Sequence, residues 1–140
     1  MHFNVNWIAV IVAAIAAFAV GSVWYMALSR QWVAASGRKP EDIDPRDVAP
    51  FIIGFVCLLV MAYFMGLVTP ALFGPVTVWS GLLAGAHMWV GFVITTMILN
   101  HRYQGRPWAL TLIDGGFLLL ALLAQGIVFG LFGSSAPPAA

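Results

Sequence analysis

The sequence predicts an all-α polytopic membrane protein: four transmembrane helices in an antiparallel bundle, forming a single domain over residues 1–140. Three observations carry this. Apolar residues make up 62% of the chain, roughly 87 positions where a soluble domain of this length would hold about 63 to 70. Six Lys and Arg and five Asp and Glu amount to 8% charge, too little to coat a surface in water, where about a quarter is usual. The apolar residues also fall into four long runs, and about 20 are needed for each crossing of a bilayer. A soluble globular domain and a disordered chain are thereby excluded. A net charge of +1 gives no basic face for nucleic acid. The partner that the composition demands is the lipid bilayer.

The first run, residues 6–28, lacks the Lys or Arg that precedes the apolar core of a secretory signal peptide. It is also longer than such a core, which makes it a retained span. Trp7 and the pair Trp24/Tyr25 suit its two interfacial belts. Residues 29–49 hold Arg30, Arg38, Lys39, Glu41, Asp42, Asp44, Arg46 and Asp47 and must lie in water. Gly37 is a helix stop that lets the first helix run on to about Ser36, with Trp32 at the headgroups. Asp47 caps the next helix and places Pro50 in its first turn, where no amide bond is lost. The second span covers residues 51–68 and ends before Pro70, Gly74 and Pro75. The third covers 79–100 and the fourth 109–132, and the tail 134–140 is expected to be disordered. Cys57, the one cysteine, has no partner within the chain for a disulfide and reads as a core residue.

Within the third span Ser80, Ala84, His87, Gly91 and Thr95 share an arc of roughly 80° at helical spacing, a small and polar stripe expected to face protein. Asp114 and Gln125 lie within about 20° of one another on the fourth helix, an inward face too. At about 1.5 Å per residue Asp114 is roughly 7 Å deep and His87 roughly 20 Å from the same surface. Gln125 is therefore the expected neighbour of His87, while Ser22 and Tyr25 stand near Asp114. An ionisable group inside a membrane costs about 2.5 to 3.5 kcal/mol at a helix centre, so Asp114 is a polar anchor or a proton site. Arg102 and Arg106 are its candidate ion-pair partners. Gly81/Gly85 and Gly126/Gly130 form two GxxxG patterns, which with Gly91 are candidates for close helix contact. No hydrolytic, redox, phosphate-binding or metal motif is visible, and one intramembrane histidine is weak ground for a haem or chlorophyll ligand. No catalytic residue, metal or cofactor is assigned.

Asn6-Trp7, Gly21-Ser22-Val23-Trp24-Tyr25, Trp32 and Gly37 in the first half resemble the DUF1761 family of small bacterial membrane proteins. Trp89-Val90-Gly91-Phe92, Arg106-Pro107, Ile113-Asp114-Gly115-Gly116-Phe117, Gly126 and Gly130 continue the resemblance over nearly the whole chain. The family usually has Asn where this chain has Asp114, and often Tyr where it has Phe117. The resemblance implies a membrane fold in which an amide can replace that carboxyl, and it supplies no substrate.

The reading that follows is a non-catalytic accessory or helix-packing subunit, binding another membrane protein or itself. An oligomeric transporter or channel built on Asp114, His87, Gln125 and Thr95 is the alternative. All six Lys and Arg lie in the first and third connections, so the positive-inside rule puts both termini outside a bacterial cytoplasmic membrane. In a Cys57→Ser background, a thiol at Ser36 should react only from the cytoplasmic face and one at Ser135 only from outside. The reverse labelling would invert the topology.

Overall fold

A computed structural model describes residues 4–134, and the expected disordered tail falls almost wholly outside them. Five helices follow in order: α1 (Trp7–Ala27), α2 (Ser29–Ser36), α3 (Ala49–Phe73), α4 (Val78–Tyr103) and α5 (Trp108–Phe132). All but α2 are long and apolar enough to cross a membrane. A 3₁₀ turn over Pro40–Asp42 lies in the charged connection.

The ends of the helices follow local chemistry. Asn6 caps α1 by accepting from the amides of Ile8 and Ala9, and Thr77 and Ser80 form a reciprocal capping box at α4. The helix expected to run on to Ser36 is interrupted at Leu28 (φ −107°, ψ 18°). The stop at Gly37 stands, with φ +71°, a left-handed conformation that glycine adopts without strain. The cap of α3 is Val48 and not the expected Asp47, which stands one residue earlier and accepts from the amide of Ala49; Pro50 lies in the first turn, as expected. Pro70 does not end α3. The helix continues to Phe73 and stops at Gly74, also at φ +71°, because a proline this near the end forfeits only a single amide bond.

The last helix is the hub, since α5 touches each of the other four. Against α4 the contacts descend one helix as they climb the other: Val78 with Gly130, Gly81 with Gly126, Gly85 with Leu122, Ile94 with Gly115. A Cβ on Gly81 would collide with the backbone of Gly126, and one on Gly85 would lie 2.9 Å from the Leu122 carbonyl oxygen. The GxxxG residues thus face one another inside the chain. At the end away from the charged connections, Phe129, Gly66 and Val5 bring α5, α3 and the chain before α1 together. The intervening core is mainly small, with Ala9, Ala13, Ala14, Ala17, Ala62, Ala84 and Ala121 all fully buried. Cys57 is exposed, not in that core.

Midway along α4, Trp89–Val93 form one turn of π-helix, in which the amide of Ile94 bonds the Trp89 carbonyl. The extra residue rotates everything beyond it. Before the turn Ser80, Gly81, Ala84 and Gly85 are buried; beyond it, Ile94 and Met97 meet Gly115. The stripe expected to face protein is split: Ser80 and Ala84 face inward, His87 is exposed already before the π turn, and Gly91 and Thr95, in and beyond it, are exposed too. Gly91 has open space beside it. Gly81→Ala should consequently lower the melting temperature in detergent, by the equivalent of about 1 to 3 kcal/mol of overpacking, and Gly91→Ala should leave it unchanged. Equal effects would mean that the α4–α5 backbone contact is misplaced.

Candidate functional site

The most polar assembly inside the spans is built on residues 113–117 of α5. Tyr25 from α1 donates its hydroxyl to Asp114 Oδ1 at 2.7 Å, and Trp32 from α2 donates its indole N–H to the same oxygen at 3.1 Å. The indole of Trp24 donates to the Ile113 carbonyl at 2.9 Å, and that of Trp89 to the Gly115 carbonyl at 2.8 Å. A helical carbonyl keeps a second lone pair after its own i+4 bond and can take such a donor. Three helices are thus tied by polar bonds to one turn of α5.

Glycine makes the approach possible. A Cβ on Gly116 would lie 2.8 Å from the Trp24 ring, one on Gly115 2.8 Å from Ile94, and one on Gly21 2.6 Å from Phe117. Tyr25 completes the cluster, meeting Trp32 and Phe117 edge to face at 6.3 and 5.3 Å between centroids. The joint at Leu28 sets α2 off from α1 just before Trp32, which reaches back to Asp114.

Asp114 is half-buried. Both donors converge on Oδ1, and among the described residues Oδ2 receives no hydrogen bond. The arginines considered as its partners are engaged elsewhere. Arg106 donates to the Ser36 carbonyl at 3.0 Å. Arg102 donates to Thr111 at 3.1 Å and lies 3.8 Å above the Trp108 ring.

The other expected site residues do not join this cluster. Ser22 and Thr95 each donate to the carbonyl four residues back, Phe18 and Gly91. Gln125 is fully buried but donates to the Leu58 carbonyl of α3 at 3.0 Å, and its Oε1 has no partner among the described residues. His87 does not meet it: Nδ1 bonds the Leu83 carbonyl at 2.7 Å and the ring packs edge-on against Phe73. Since a carbonyl only accepts, this fixes the hydrogen on Nδ1. Among the described residues no three His, Cys, Asp or Glu side chains converge as metal ligands would.

Sequence reasoning expected Tyr25 beside Asp114, as the 2.7 Å bond shows, but treated Trp24 and Trp32 as separate interfacial anchors and missed that they join the same turn of α5. The signal was present in the resemblance, because its motifs in α1, α2, α4 and α5 are the parts of this one cluster. Asn has the same Oδ1 acceptor, so Asp114→Asn should melt within about 1 kcal/mol of the native protein. Asp114→Leu strands two buried donors at roughly 1 to 3 kcal/mol each. Thermal unfolding in detergent distinguishes them, and an Asn variant as damaged as the Leu variant would show that the carboxylate charge itself holds the cluster.

No curated protein and no solved structure matches the chain. The family described as "Protein of unknown function (DUF1761)" matches residues 8–130, a stretch that contains every element of the cluster from α1 to α5. The chain belongs to the DUF1761 family.

Proposed function

We propose that this protein is a non-catalytic accessory subunit of a bacterial cytoplasmic membrane, with both termini outside, that holds another membrane protein through the outward face of α4. The single observation carrying this is that His87, Gly91 and Thr95 are exposed in the middle of an apolar span. An imidazole on that face meets lipid unless something covers it, and polar groups at such positions are costly there. Gly91, with open space beside it, lets another backbone come close. With its hydrogen on Nδ1, His87 offers Nε2 as an acceptor, which suits a partner helix bearing a hydroxyl or indole donor. The two GxxxG faces do not support the proposal, since they are used within the chain.

A transporter has less support. Gln125, Thr69 and Thr111 end on Leu58, Met65 and the His101/Arg102 pair, and Asp114 bonds neither His87 nor Gln125.

Purification from the native membrane in mild detergent should recover a stoichiometric partner. Gly91→Leu and His87→Leu should each release it about tenfold or more while leaving the melting of the isolated chain unchanged. Retention in both variants would refute the α4 face. A lone homo-oligomer that dissipates an ion gradient in liposomes would favour the transporter.

A further inference from the structure

A second feature of α4 lies beyond the π turn. A groove of about 600 Å³ runs along its last three turns beside Leu118 of α5. Its floor, toward the middle of the span, is mainly apolar, from Phe92, Val93 and Met97 with the one hydroxyl of Thr96 among them, and its mouth, at the helix end, is polar, from Asn100, His101 and Gln104. This amphipathic gradient points along the helix: apolar toward the middle of the span, amide and imidazole at its end. The mouth is cationic in its own connection, since Arg102 and Arg106 flank it in sequence and no Asp or Glu lies between Asp47 and Asp114.

The mouth is built rather than accidental. Thr111, buried to 1%, accepts from Arg102 at 3.1 Å and lies 2.8 Å from His101 Nδ1. Where that hydroxyl gives its own proton to Nδ1, the imidazole carries its hydrogen on Nε2, and His101, which lines the groove, then has an N–H donor to offer. The Arg102 side chain is fixed at the same time by Trp108 beneath it, and its Nε is buried without a partner among the described residues.

We propose that this groove binds one anionic phospholipid, with an acyl chain on Phe92, Val93, Met97 and Leu118 and the phosphate at His101, Gln104 and the Arg102 charge. The apolar floor distinguishes a lipid from free phosphate, and the cationic surroundings distinguish an anionic headgroup from a zwitterionic one. The site is separate from the outward face of His87, so either can fail alone.

The test is native mass spectrometry of the full chain in detergent, titrated with phosphatidylglycerol, phosphatidylcholine or glycerol 3-phosphate. One phosphatidylglycerol should be retained about tenfold more tightly than phosphatidylcholine, and glycerol 3-phosphate should not compete. Gln104 is exposed, so its charge can be changed without disturbing the core. Gln104→Glu should weaken phosphatidylglycerol binding severalfold and Gln104→Lys should strengthen it, while Arg46→Gln, in the other charged connection, should leave it unchanged. Met97→Trp, which fills the floor, should remove the bound lipid. Equal retention of the two lipids, competition by glycerol 3-phosphate, or Gln104 variants that shift binding in the same direction or not at all would each overturn the proposal.

Discussion

In a bilayer, apolar surface gains nothing by leaving lipid for protein, so helices must be held by close backbone packing and by hydrogen bonds between them. The fold depends on α5 supplying both. Gly126 and Gly130 bring α4 against its C-terminal half, where the bare backbones of the two helices touch. Its N-terminal half has a carboxyl and two backbone carbonyls that accept from Tyr25, Trp32, Trp24 and Trp89. Removing α5 would leave α1 and α4 with no shared neighbour of comparable contact, since α3 touches both only more lightly.

These two modes explain the distribution of residue sizes. Where glycine meets glycine, no side chain intervenes and dispersion is gained between backbones. Where Trp and Tyr cross, the helices are held apart by rings whose polar edges reach over the gap, and glycine at 116 and 21 makes room for the rings of Trp24 and Phe117. The aromatic cluster around residues 113–117 and the buried alanines and glycines farther along the bundle are therefore parts of one arrangement. The π turn lies between the two zones, carrying the α4 contact face from Gly81 and Gly85 over to Trp89 and Met97 as the packing changes from backbone to rings.

The four spans were legible because length and hydropathy alone determine them. The close approach of Gly81 and Gly126 was legible as a spacing, though not which surface it would meet, since GxxxG serves bundle and partner alike. Trp24 and Trp32 were misplaced because an indole suits both a headgroup region and a buried acceptor, and a carbonyl acceptor has no mark in the sequence. His87 and Thr95 were misplaced because they stand beside or beyond the Ser80–Gly85 face, and the π turn, which has no residue signature, moves that face by a residue. The Pro70 stop failed for a different reason: proline forfeits its own amide bond and crowds the carbonyl four residues back, yet the helix runs through it and ends at Gly74.

The carboxyl of Asp114 poses a further question, because an amide would serve the two hydrogen bonds equally well. Both bonds use Oδ1, so the difference between Asp and Asn resides in the second branch of the side chain. An Asn would place two N–H donors there, and Asp places an acceptor. Whatever meets that position thus determines which residue the fold can tolerate: a donor from lipid, water or a neighbouring chain suits Asp, and an acceptor suits Asn. The tertiary structure is indifferent to the choice, since Tyr25 and Trp32 hold the other oxygen in either case. Chemistry beyond the cluster is therefore written at the second atom, and a change of residue at 114 alters what the protein offers outward while leaving intact the turn of α5 on which its helices converge.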